Sequence, residues 1–155
     1  MSYEIGRRVD AALALAVVRE RRSWSHLGAA LVPLLDRVWG AIRGGRVPGK
    51  DGGRSVFVYR DGGKDGVTVE IGAEVGGGFT VTEDGVTPAE TPGGDVVATV
   101  HVGPYRRLGD AHDAIVLWAR REGVVLADVC WEVYGDHDED ESRLVTEVVY
   151  AVAAP

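Results

Sequence analysis

Hydrophobic positions along the chain follow two rhythms. From Leu27 onward, Leu27, Ala30, Leu31, Leu34, Leu35, Val38, Trp39 and Ile42 fall at i, i+3, i+4 and i+7, the spacing of one helix face. Ser25 is placed to cap this helix, and Gly44 with Gly45 to stop it. Pro33 lacks an amide proton, which predicts a kink or a helix start near it. A second helix is predicted from about Arg107 to Glu122, with Leu108, Ala111, Ile115, Trp118 and Ala119 inward, His112 inward near its edge, and Gly123 as terminator. Between these stretches the rhythm shortens to two: Val67, Val69, Ile71, Ala73 and Val75 alternate with Thr68, Glu70, Gly72 and Glu74, as in a strand.

Both rhythms occur twice. "VFVYRDG" (56–62) lies over "WEVYGDH" (131–137), and "VTVEIGAEV" (67–75) over "VTEVVYAV" (145–152). A helix precedes each pair, and an apolar strand precedes each helix: Ala11 to Val18 in the first half, Val96 to Val102 in the second. The chain therefore reads as one domain, residues 1–155, made of half-units at about 7–75 and 95–153. Their linker, 74–94, is broken by Gly and Pro and carries one short strand near Phe79 to Thr82. The predicted fold class is α+β: duplicated βαββ units with pseudo-twofold symmetry, forming a mainly antiparallel sheet with two helices on one face and a ligand cleft on the other.

Alternation then sorts side chains by face. The odd residues from Val67 to Val75, and Thr146, Val148, Tyr150 and Val152, are expected toward the helices. Phe57, Tyr59, Cys130, Glu132 and Tyr134 are expected to share the helix-free face with Glu70, Glu147 and His101. Strict alternation sends Trp131 to the helix side. Glu132, set between Trp131, Val133 and Tyr134, is the position that needs explaining. A carboxylate removed from water by such neighbours costs several kcal/mol unless something pairs with it or protonates it. Aromatic rings gathered around desolvated carboxylates suit a flat, lipophilic cation. Against this stands the plainer reading, a strand residue paired across to Arg or Lys.

Charge narrows the partners. A net charge of -7 over 155 residues opposes a nucleic-acid footprint, which needs clustered Lys and Arg. One cysteine, Cys130, forms no internal disulfide, no Cys or His spacing suggests zinc, and no cofactor or metal site is expected. The chain reads as cytoplasmic. "RRVDAALALAVVRERR" is too short and too charged for a secretion signal, and no run approaches a membrane span. "GGRVPGKD" imitates a phosphate loop but puts Asp51 where Ser or Thr is required, in a helix-to-strand context. "GDHDEDES" lacks calcium-loop spacing and reads as a solvated hairpin tip.

The order of "HVGPY", the Trp118 position, "CWEVYG" and "TEVVYAV" resembles the GyrI-like small-molecule-binding domain, the effector-binding module of some AraC-type and MerR-type multidrug regulators. The resemblance covers most of the chain and is strongest from 95 to 152. It implies a cleft on the sheet between the halves, in which Glu132 meets cationic compounds and aromatic residues stack on them. The candidate ligand-binding set is Glu132, Tyr134, Tyr105, Phe57, Tyr59, Trp131, Glu147, Glu70, His101 and Trp24. With no room for a helix-turn-helix before residue 9, a stand-alone member is expected. Its first expected function is capture of hydrophobic cationic or electrophilic aromatic compounds. One alternative is hydrolysis of reactive, cyclopropanoid-type electrophiles, with Glu132 catalytic. A second is a gyrase-protecting type of protein interaction through the sheet edge or the acidic hairpin.

Overall fold

The computed structural model describes residues 2–155, which form β1 (Gly6–Asp10), β2 (Ala14–Arg22), α1 (Leu27–Arg43), β3 (Ser55–Gly63), β4 (Gly66–Glu74), β5 (Thr87–Glu90), β6 (Gly94–Val102), α2 (Leu108–Glu122), β7 (Leu126–Tyr134) and β8 (Val145–Val152). A single 3-10 turn leads into each helix, Trp24–His26 and Tyr105–Arg107. Ser25 lies inside the first of these turns, so His26 occupies the cap position in its place. Pro33 neither starts nor ends α1, which runs through it. α2 stops at Gly123, whose φ of 69° is the left-handed conformation that glycine adopts without strain.

The strands form one sheet in the order β1-β6-β8-β7-β3-β4-β2-β5, with neighbours antiparallel. The two βαββ units, β2-α1-β3-β4 and β6-α2-β7-β8, meet at the β3–β7 seam. Across that seam Phe57 lies opposite Glu132, and the pseudo-twofold relates the same two positions. Each half also lends its leading strand to the other: β1 precedes the first unit but pairs with β6, and β5 precedes the second but pairs with β2. This exchange corrects the sequence reading twice. The Ala11–Val18 run is divided between a connection and β2, and the linker strand is Thr87–Glu90, not Phe79 to Thr82.

Both helices pack on one face. Leu34, Val38 and Ala41 of α1 cover Ala16, Val18, Val69, Ile71 and Ala73. Leu108, Ala111 and Ile115 of α2 cover Val97 and Val148. Each valine, leucine or isoleucine among them contributes about 1.5–3 kcal/mol on burial. The other face is a second apolar core of Leu15, Val17, Val56, Val58, Trp131, Val133 and Val149, and no helix covers it. Leu13 and Ala89 pack against this core, and Asp10, Ala11, Leu13 and Thr91 line a small cavity beside Trp131. Gly72 sits where this sheet is tightest: a Cβ there would stand 1.7 Å from the Ala16 carbonyl oxygen.

Register overturns the expected face of the cleft. Residues directly opposite in an antiparallel pair share a face. Phe57 opposes Ile71, Tyr59 opposes Val69, Glu132 opposes Val148, and Tyr134 opposes Thr146. Phe57, Tyr59, Cys130, Glu132 and Tyr134 do share a face, as alternation requires, but it is the helix side. Thr99 opposes Val148, which puts His101 there too, while Trp131 falls on the helix-free side. Over β2, β3 and β7 the helix-free face, expected to hold the cleft, is filled by Leu15, Val17, Val56, Val58, Trp131 and Val133.

Candidate functional site

α1 lies over β2 and β4, and α2 over β6 and β8, leaving the β7–β3 seam uncovered between them. At one end of that seam lies a cavity of about 470 Å³, walled by Leu31, Val32 and Leu35 of α1, by Phe57 and Tyr134 of the sheet, and by Tyr105 of the turn that leads into α2. The rings are mutually packed. Phe57 and Tyr134 have centroids 4.7 Å apart, and Tyr105 meets Tyr134 edge-on at 5.4 Å.

Beneath Tyr134 lies Glu132, 5% exposed. Its Oε1 accepts the hydroxyls of Tyr59 at 2.9 Å and Tyr134 at 2.6 Å. Its Oε2 lies 2.7 Å from Nε2 of His112, whose Nδ1 lies 2.7 Å from the Tyr150 hydroxyl. Every polar atom of the carboxylate is thus satisfied without a fixed cation. The other deeply buried carboxylates are treated differently: Glu70 is held by Arg19 and Arg60, and Glu74 by Lys50 and Arg54. Among the described residues Glu132 has no Arg or Lys partner, so the plainer reading of a strand ion pair is excluded.

The surrounding hydroxyls are locked in their neutral form. Burial, and next the charge of Glu132, push Tyr59 and Tyr134 far above the ordinary phenol range. Burial and the neighbouring Cys130 do the same to Tyr150. The Cys130 thiol is pushed up to about 12, first by burial, which removes it as a nucleophile at neutral pH. Among the described residues, no group of three or more His, Cys, Asp or Glu could hold a metal. No described helix is long and apolar enough to cross a membrane.

Five of the ten candidates converge here: Glu132, Tyr134, Tyr59, Phe57 and Tyr105. The other five do not. Glu70 faces away and is tied to its two arginines, and Glu147 lies on that same face against Arg8. Trp131 is core. Trp24 is half exposed and donates to the Gly63 carbonyl at the far end of β3. His101 is fully buried under the turn that carries Tyr105, between the Tyr3 hydroxyl and the Pro104 carbonyl. Two participants, His112 and Tyr150, escaped the candidate set. The sequence carried a usable sign for the first: His112 lies on the buried stripe of α2, one helical turn after Leu108, where an unpaired imidazole would need a partner. His137, on the acidic hairpin, also reaches the cavity wall.

No protein-family model and no curated protein matches the sequence. Solved structures do. The EcmrR C-terminal domain superposes with a TM-score of 0.79 at 18% identity, covering 100% of both chains. Against EcmrR in its DNA complex the TM-score is 0.77 at 20% identity, over 99% of this chain and 58% of that one. The protein SAV2435, bound to tetraphenylphosphonium, gives 0.65 at 13% identity, covering 99% of this chain and 95% of that one. A hydrolase from Listeria innocua gives 0.62 at 12% identity, covering 97% and 92%. The chain has the fold of the EcmrR C-terminal domain. At these identities the likeness extends to the fold alone, and what the groove does rests on its own geometry.

Proposed function

We propose that this protein captures hydrophobic aromatic cations in the groove between α1 and the turn that leads into α2, with Glu132 as the counter-charge. One observation carries the reading. Glu132 is the buried carboxylate to which the fold supplies hydroxyls and an imidazole but no Arg or Lys, so its negative charge remains available. The aromatic walls give a flat ligand stacking area, and a low-dielectric site strengthens attraction between the ligand charge and Glu132. Tyr134 is the side chain between cavity and carboxylate, so the ligand acts through its hydroxyl dipole or displaces it. Tetraphenylphosphonium, the compound bound to SAV2435, is a ligand of this chemistry.

A second reading has support in the same cluster. The Glu132–His112–Tyr150 chain is arranged to carry a proton, as hydrolysis of an electrophile by an activated water requires, and a fold neighbour is described as a hydrolase. One experiment separates the two. Native protein and Glu132→Gln are screened by thermal shift against matched cationic, neutral and anionic aromatic compounds, and each hit is recovered for mass analysis. Ligand at 100 times its Kd stabilises the native state by about 2.7 kcal/mol. Shifts confined to cations, lost in Glu132→Gln, with compounds recovered unchanged, support capture. A product of altered mass moves the assignment to hydrolysis. Equal shifts for anions and cations overturn the role given to Glu132.

A further inference from the structure

His112 has two hydrogen-bonding states that fit the same coordinates. In the neutral ring Nε2–H donates to Glu132 and Nδ1 accepts from Tyr150. In the imidazolium both nitrogens donate, and the Tyr150 hydroxyl, free to rotate, turns its proton toward Cys130, directly opposite on β7. Neither state leaves a buried polar atom of the cluster unpaired. The difference is electrical. Glu132 with neutral His112 carries one negative charge, and Glu132 with the imidazolium carries none.

The groups facing His112 are Glu132, Cys130 and Tyr134 from β7, Tyr150 from β8, and Tyr59 from β3 on the far side of the carboxylate. Asp113 is beside it on α2. The three tyrosines and the thiol stay uncharged at neutral pH, leaving the imidazole as the facing group of a type that changes charge between about pH 5 and 8.

We propose that His112 sets the charge selectivity of the groove: a bound cation and the second proton of His112 compete for the single negative charge of Glu132, so capturing a cation expels a proton. The inference rests on the capture function above and adds its regulation. The balance is simple: the ligand cation enters the pocket, the Nδ1 proton of the imidazolium leaves for solvent through Tyr150, and the charge of the cluster is unchanged. Coupling of this kind is reciprocal, so acid weakens cation binding by as much as the cation depresses protonation.

Calorimetry tests it with tetraphenylphosphonium, whose charge does not titrate, and neutral triphenylphosphine oxide as comparator. Titrations run from about pH 5.5 to 8.5, the span of imidazole titration, in two buffers of different ionisation enthalpy. Native protein should bind the cation up to about tenfold more tightly per pH unit as pH rises, releasing up to one proton per ligand, while the neutral compound binds evenly. His112→Gln keeps an N–H donor for Glu132 without a titrating charge and should flatten the cation profile. His137→Gln, which changes the exposed histidine at the cavity wall, should leave it sloped. Cation affinity independent of pH in the native protein overturns the inference, as does a slope that persists in His112→Gln or disappears in His137→Gln. Proton release by the native protein decides the matter even if His112→Gln fails to fold. Failure of both compounds to bind at every pH overturns the capture function and this inference with it; cation binding without proton release overturns the inference alone.

Discussion

Replacing Glu132 by leucine tests whether the cage around it is a device for holding charge. The substitution keeps the volume and removes the acceptor from three donors, the hydroxyls of Tyr59 and Tyr134 and Nε2–H of His112. A buried donor left unpaired costs about 1–3 kcal/mol. Tyr134 borders the cavity and finds water there, and His112 can shift its proton to Nδ1 and donate to Tyr150, so both stand at the low end of that range. Tyr59 has neither escape. Burying a leucine side chain returns about 2 kcal/mol, which leaves Glu132→Leu roughly 1–3 kcal/mol less stable than the parent. That is a large fraction of the 5–15 kcal/mol typical of a domain. Urea unfolding followed by tryptophan fluorescence measures it, with an unchanged m-value as the check that the variant unfolds as the parent does. The sharper test adds Tyr59→Phe and Tyr134→Phe. In the native background each removes a hydrogen bond to a charged group and destabilises. Beside Glu132→Leu each removes an orphaned hydroxyl, and together they should restore about 2 kcal/mol. A leucine variant as stable as the parent, or a triple variant weaker than the single one, refutes the reasoning.

Two pH limbs follow from the other shifted groups. Tyr59, Tyr134 and Tyr150 bind their protons more tightly folded than unfolded, so the stability they contribute is whole below about pH 10 and is lost as pH rises above it. Phenolate absorbance for these three should appear together with unfolding, and early ionisation would contradict the burial described. Glu74 lies at the opposite extreme. Burial pushes its carboxyl up, but hydrogen bonds from Arg54 and Lys50 outweigh it and hold it below the usual range. Its contribution is therefore present above about pH 4.3 and lost as pH falls. Glu74→Gln should lower stability at neutral pH and flatten the acid limb of the melting curve, and an acid limb of unchanged slope would assign that limb to other carboxylates.

Alternation and repetition determined much of this protein from its sequence alone. The i, i+3, i+4, i+7 stripes fixed both helices, the duplicated segments fixed the βαββ units, and period two fixed that Phe57, Tyr59, Cys130, Glu132 and Tyr134 lie together. The side on which they lie was not legible, because a strand's period says which residues share a face and nothing about which face is covered. In the β3–β4 hairpin that choice turns on one residue. A register shift between Arg60 and Gly63, where Asp61 takes a φ of 53°, inserts an extra residue, so Phe57 meets Ile71 and not its neighbour Gly72. In the β7–β8 hairpin it turns on a ten-residue connection, 135–144, that carries no readable register. Tertiary packing likewise decided the exchange of β1 and β5 between halves, and the meeting of His112 with Glu132, which are 20 positions apart and brought together only when α2 docks on its own β7–β8 hairpin. The carboxylate could be recognised locally as one that needs a partner. That the partner is an imidazole and not an arginine depends on where a helix lands on a sheet, and no local pattern specifies that.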